Sequence, residues 1–261
     1  MSRQPRQTAV RVLRVFTRDG RGGNHLAVHE GLLLDAQMQT VAAALGYSET
    51  IFVDQTADDG AIPVRIFTPA SELPFAGHPL VGATWHLAPP GGRARLRCGV
   101  GVVAGHRPDA ATAHIEVAYQ PTVKTAMQGG AAASWDVRMP LRYEVVQLAS
   151  PADVAGYTLV DRPDHRLVWA RGDEGDGNTI RARFFAPGMG VDEDPATGSA
   201  AVALAAVQRH EGIASGALTI HQGAEVGFPS RIELAWSREA TEIGGSVEDD
   251  GWRTISVPPG S

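Results

Sequence analysis

The sequence predicts a mixed α/β (α+β) protein made of two similar halves, each a mixed sheet around a central helix. Three observations carry this. Short apolar runs with strand-like alternation are interrupted by two stretches rich in Ala, Val and Leu, Pro79 to Leu87 and Gly198 to His210. One motif occurs twice: Arg65-Ile66-Phe67-Thr68-Pro69 then Pro74-Phe75-Ala76-Gly77-His78, and Arg183-Phe184-Phe185-Ala186-Pro187 then Pro195-Ala196-Thr197-Gly198-Ser199. Each copy leads from an apolar run through a proline and a loop to a glycine that opens a helical stretch, and a repeat speaks first to architecture. The 261-residue length is enough for two domains of ordinary size. The halves are expected at about 1–125 and 126–261, with the chain end able to return to the first half.

In order, Val10 to Phe16 alternates as a strand, Thr17 to Asn24 is a Gly-rich loop, and Leu26 to His29 is a short strand. Asp35 reads as an N-cap for a helix over Ala36 to Leu45, with Met38, Val41, Ala42 and Leu45 on one face and Gly46 as its stop. Ile51 to Val53 and Val64 to Phe67 are strands. A helix opens after Gly77, with Pro79 in its first position. Arg93 to Val103 and His114 to Tyr119 are further strands, and residues 120 to 150 read as the crossover between halves. Arg166 to Ala170 and Arg181 to Phe185 are strands, Gly198 to His210 is an apolar helix, and Thr219 to Gln222, Arg231 to Trp236 and Trp252 to Val257 close the pattern.

The net charge is −6 and the basic residues are scattered, which excludes bulk nucleic-acid binding. No run approaches the roughly 20 apolar residues of a membrane span. Met1 to Thr8 is polar and basic, without a signal-type apolar stretch, and Cys98 is the single cysteine, so a cytoplasmic location is expected. The nine histidines show no metal-ligand spacing, with His106, His114, His210 and His221 isolated, so no metal is expected. Gly20 to Asn24 lacks the Gly-Lys-Ser/Thr of a phosphate loop.

Three places can carry chemistry. Glu49, between Ser48 and Thr50, precedes an apolar strand. Burial there raises a carboxyl pKa and fits it for proton transfer, though the position equally suits a solvent-facing glutamate. Gly77-His78 opens a helix whose free amides and dipole suit a carboxylate, with His78 either a proton-transfer group or a helix cap. Asp192-Glu193-Asp194 precedes the second glycine start, Gly198-Ser199, and reads either as a substrate site at Asp194 and Ser199 or as a plain cap with solvated acids.

Together these stretches resemble the PhzF-like isomerase family of phenazine biosynthesis. The matching residues are Gly23-Asn24-His25-Leu26-Ala27-Val28, Met38-Gln39, Ser48-Glu49-Thr50-Ile51-Phe52-Val53, Arg65 to Pro69, Pro74 to Pro79, Arg183 to Pro187 and Glu193 to Ala200, in the family's order. The resemblance implies a diaminopimelate-epimerase-like fold with the active site between the halves. It implies an isomerase that needs no cofactor and moves a proton along a small conjugated or cyclic amino-acid-like carboxylate in biosynthesis. A lyase using the same proton abstraction, or a binding protein on the same fold, are the alternatives. Glu49 stands in the motif of the family's proton-shuttling glutamate. His78 and Asp194 are implied to join it in catalysis, and Gly77, Gly198, Ser199 and Asn24 to bind substrate. A homodimer is implied, in line with the frequency of two-fold dimers. The two-thiol racemases of the wider fold are excluded, because Ala76 and Pro195-Ala196 stand where thiols would be. Two departures touch substrate choice: His25 stands where the family has Pro, and Phe228 where it has Arg.

Overall fold

Strand alternation at the N-terminus and one buried helix per repeat set the architecture of the computed structural model, which describes residues 6–54, 60–118, 120–127, 133–161, 163–172, 177–189 and 191–257. The chain divides into two compact units. The first comprises Met1–Val15, His25–Ile115 and Val247–Ser261; the second comprises Phe16–Asn24 and Glu116–Ser246.

The first unit begins with β1 (Arg6–Thr17) up to Val15, β2 (Asn24–Glu30) from His25 on, α1 (Asp35–Leu45), β3 (Glu49–Val53), β4 (Ile62–Phe67) and β5 (Glu72–Leu73). It continues with α2 (Gly77–Leu87), β6 (Gly92–Cys98), β7 (Gly101–Arg107) and β8 (Thr112–Val117). β2 runs parallel to β3, with Leu26 opposite Glu49, and β3 is antiparallel to β4. β4 pairs antiparallel with the short β5 and parallel with β6, and β6 is antiparallel to β7. Every residue of α2 from Gly77 to Trp85 is buried. A helix without a wet face must be enclosed, and its glycine shows how closely. A Cβ on Gly82 would lie 2.4 Å from Leu26 Cδ2 and 3.0 Å from Val15 Cγ2.

The second unit holds β9 (Thr122–Met127), β10 (Ala133–Arg138), β11 (Arg142–Gln147), α3 (Pro151–Ala155), β12 (Arg166–Arg171), β13 (Thr179–Ala186) and β14 (Val191–Asp194). α4 (Gly198–His210), β15 (Gly216–Gln222) and β16 (Ser230–Trp236) follow. Its pairing repeats the first unit's: β11 parallel to β12, β12 antiparallel to β13, β13 antiparallel to the short β14 and parallel to β15, and β15 antiparallel to β16. α4 is buried from Gly198 to Gln208 and is rich in alanine. The last strand, β17 (Thr241–Val257), pairs with β16 and then carries the chain back into the first unit. The two similar halves read from the repeat are therefore present, each a mixed sheet around a buried helix.

The structure changes several element assignments. Asp35 lies inside α1, whose N-cap is Leu34; Gln37 caps instead, its side chain accepting from the Leu34 amide at 3.1 Å. The Asp35 carboxylate accepts from Arg65. α2 begins two residues before Pro79. The 120–150 stretch holds three strands and the start of the sheet rather than a plain crossover, with residues 128–132 outside those described. Among the described residues, no helix is long and apolar enough to cross a membrane.

Candidate active site

The repeated Arg-X-Phe motif is structural. On β4, Arg65 lies over the Phe67 ring at 5.2 Å and pairs with Glu72 through two nitrogens. On β13, Arg183 lies over Phe185 at 4.8 Å and pairs with Glu193 at 2.9 and 2.7 Å. Arg183 also donates to the carbonyls of Val154, Ala155 and Tyr157, at and just after the end of α3. Glu193 is thereby committed to Arg183, and Asp192 is exposed, so of the three acids only Asp194 is buried beside the start of α4.

In the first unit, Gly46 ends α1 with φ +67, its amide returning to the Ala42 carbonyl at 3.1 Å. The turn delivers Glu49 to the first position of β3. His78, second in α2, places Nδ1 3.4 Å from Glu49 Oε2, with side chains 3% and 16% exposed. The imidazole also hydrogen bonds the backbone of His25, and burial, with the nearby His25 ring, pushes its pKa down to about 3. The contact is therefore a neutral imidazole against a carboxyl group rather than an ion pair. His25 stacks its ring on Tyr47, with centroids 5.5 Å apart.

In the second unit, Asp194 ends β14 and is 7% exposed. Asn24 Nδ2 donates to its Oδ1 at 2.9 Å and to the Ala196 carbonyl at 3.1 Å, and the Thr197 hydroxyl donates to its Oδ2. Two donors on two oxygens favour the ionised carboxylate. Gln222 locks the same turn: Nε2 donates to the Asp194 carbonyl at 2.7 Å and to Thr197 Oγ1 at 3.1 Å, and Oε1 accepts from the Thr197 amide at 3.4 Å. Ser199 is second in α4 and accepts from Tyr143 Oη at 3.0 Å.

Neither helix start is capped by a side chain: Ala76 has none to offer, and Thr197 is engaged by Asp194. The first amides of each helix, from Gly77 and from Gly198, are thus suited to an anion. The structure brings Glu49 together with Gly77 and His78 in one unit, and Asn24 together with Asp194, Gly198 and Ser199 in the other. Thr197, Gln222 and Tyr143 were not anticipated. Gln222 had a signal, the Gln222-Gly223 pair that opens a Gly-rich segment; Tyr143 had none.

Other candidates change. His106 and His114 are not isolated from each other, since their rings stack at 5.1 Å across the neighbouring strands β7 and β8. His210 hydrogen bonds Thr125 at 3.0 Å. Burial pushes the Cys98 thiol up, away from a reactive thiolate. Phe228 is 41% exposed at the end of the Gly223 turn, where its amide bonds the Gly223 carbonyl at 2.9 Å.

A family model described as phenazine biosynthesis-like protein matches residues 13–134 and 159–248. The chain belongs to the PhzC-PhzF family. It is 34% identical to the trans-2,3-dihydro-3-hydroxyanthranilate isomerase of Pseudomonas aeruginosa, over 92% of this chain and 94% of that protein. An uncharacterized isomerase of Pasteurella multocida is 30% identical over 97% and 95%. This family member is accordingly an isomerase. A predicted epimerase from Pseudomonas aeruginosa superposes with TM-score 0.75 at 25% identity, covering 95% of this chain and 98% of that one. A hydroxyproline epimerase from Agrobacterium vitis shares the fold, with TM-score 0.70 at 12% identity over 98% and 93%. The diaminopimelate-epimerase-like architecture implied by the motifs is the one found.

Proposed function

We propose that the protein is a cofactor-independent isomerase that shifts a double bond in a small cyclic amino-acid-like carboxylate, with Glu49 as the proton carrier. The observation that carries this is the pairing of Glu49 with a buried, neutral His78 at an uncapped helix start. A neutral imidazole cannot serve as a strong acid at neutral pH. Asp194 already has both oxygens engaged, by Asn24 and by the Thr197 hydroxyl. Glu49 is then the group able both to take and to return the proton.

In the proposed step, the Glu49 carboxylate removes a proton from a C–H next to the conjugated system. The C–H electron pair moves into that system, and the protonated Glu49 delivers the proton to a carbon further along it. The double bond moves and no oxidant or reductant is consumed. His78, beside Glu49, hydrogen bonds the substrate, amides from Gly77 and Gly198 take carboxylate charge, and Ser199, Asn24 and Asp194 hold polar substituents, Asp194 suiting an ammonium or hydroxyl group. Holding both carbons against one carboxyl group is worth a large effective concentration. By analogy with the named relative, the substrate class is the dihydro-hydroxyanthranilates. A homodimer acting in a cytoplasmic biosynthetic pathway completes the proposal.

The test is turnover of trans-2,3-dihydro-3-hydroxyanthranilate followed by proton NMR. The expected outcome is an isomer of the same mass. Loss of water or ammonia identifies a lyase instead, and binding without conversion identifies a binding protein.

A further inference from the structure

Tyr143 lies outside every motif, yet it meets the start of α4. It sits on β11, 4% exposed, and its Oη donates to Ser199 Oγ over 3.0 Å, with both groups buried. Its ring is clasped: the His165 ring stacks on it at 4.9 Å with a 28° tilt, and Phe184 packs at 6.0 Å. His165 is fixed in turn by its Nδ1 hydrogen bond with the Arg142 carbonyl at 3.1 Å. Burial lowers its pKa, so the stack is uncharged at neutral pH.

A serine hydroxyl rotates among three staggered positions and both donates and accepts. A tyrosine donating to its oxygen leaves the serine proton to point elsewhere. We propose that Tyr143 is a positioning residue that holds Ser199 as a hydrogen-bond donor to an oxygen of the substrate. This rests on the reading of Ser199 as a substrate ligand. Tyr143 then acts only through Ser199, with no part in proton transfer. It favours substrates that present an anionic oxygen, such as a carboxylate, because an ammonium group there meets a donor.

A double-mutant cycle tests this. Isothermal titration with 3-hydroxyanthranilate is run on the wild type, Tyr143→Phe, Ser199→Ala and the double variant. Loss of one hydrogen bond predicts that Tyr143→Phe weakens binding about fivefold when Ser199 is present. With Ser199→Ala in place, the same change is expected to leave affinity unaltered. In turnover of trans-2,3-dihydro-3-hydroxyanthranilate, Tyr143→Phe is expected to raise KM and leave kcat and its pH profile unchanged. Equal losses with and without Ser199, or a fall in kcat alone, overturn the proposal. An unchanged affinity in Ser199→Ala alone shows instead that the substrate-ligand reading of Ser199 has failed, and the proposal falls with it. So does absence of any wild-type binding at millimolar probe. If Tyr143→Phe does not fold, His165→Leu removes the stacking ring and is expected to give the same KM-only defect, again dependent on Ser199.

Discussion

Gly223→Ala tests how the Asp194 turn is held. Gly223 has φ +78, and a Cβ there would lie 2.4 Å from the Phe228 carbonyl oxygen, 2.5 Å from the Pro195 carbonyl oxygen and 3.0 Å from Pro195 Cα. All three are backbone atoms, so no side chain can swing aside. The left-handed conformation costs an alanine about 1–2 kcal/mol, and the forced displacement about 1–3 kcal/mol more. Gly227 is the matched control: its φ is +81, but nothing lies within 4 Å of a Cβ there. Gly227→Ala therefore carries only the conformational cost of about 1–2 kcal/mol. In urea unfolding, with m unchanged, Gly223→Ala should lose about 2–5 kcal/mol. Activity separates the two further. Pro195 follows Asp194 directly, and moving it disturbs the 2.7 Å bond from Gln222 to the Asp194 carbonyl. A shift of about 1 Å in a positioning group costs on the order of 100-fold in rate, while Gly227→Ala should keep wild-type kcat/KM. Equal stability and equal activity for the two variants would refute the idea that close packing of Gly223 on Pro195 sets the Asp194 geometry.

Further expectations follow from burial. Arg183→Met breaks a pair whose side chains are 12% and 10% exposed and should cost about 3–5 kcal/mol in urea midpoint analysis. Arg65→Met breaks the matching pair, where Glu72 is 42% exposed, and should cost no more than about 1 kcal/mol; a reversed order contradicts the burial argument. Asn24→Ala removes a donor from Asp194 and from the Ala196 carbonyl, and a loss of about 1–3 kcal/mol with a raised KM is expected from denaturation and steady-state kinetics. The folded pKa values of His25, His29, His78, His86 and His165 are all lowered, chiefly by burial. On acidification the unfolded chain binds these protons first, so their contribution is complete above about pH 6.5 and is lost progressively as pH falls toward their folded values, reaching about 3 for His78. Urea midpoints should fall between pH 7 and pH 5, and a constant midpoint across that interval contradicts the assignment.

The repeat was legible because each copy encodes the same local events: a strand with Arg two residues before Phe, a proline, and a glycine opening an apolar helix. What the motif's arginines do was not, because their partners lie 7 and 10 residues on, in the short strands β5 and β14, at no fixed spacing. The candidate site residues Glu49, His78 and Asp194 stood out through their flanking glycines and strand starts. The groups that hold them did not. Tyr143 reaches Ser199 across 56 residues and Gln222 reaches Thr197 across 25, and such contacts leave no periodic trace. Asp35 was misplaced for the opposite reason: a local capping preference lost to Gln37 on one side and to Arg65 on the other. The five-residue α3 was too short to show a helical period.

Deuterium exchange by Glu49→Gln tests the central claim most directly. Glutamine keeps the shape of the side chain beside His78, and removes the only group assigned to carry the proton. With trans-2,3-dihydro-3-hydroxyanthranilate in heavy water, the wild type should place deuterium on the product carbon. The variant should bind the substrate with near wild-type affinity and exchange on the order of 100- to 10,000-fold more slowly. Exchange at the wild-type rate in Glu49→Gln would show that Glu49 does not carry the proton and that the mechanism is wrong, whatever the fold.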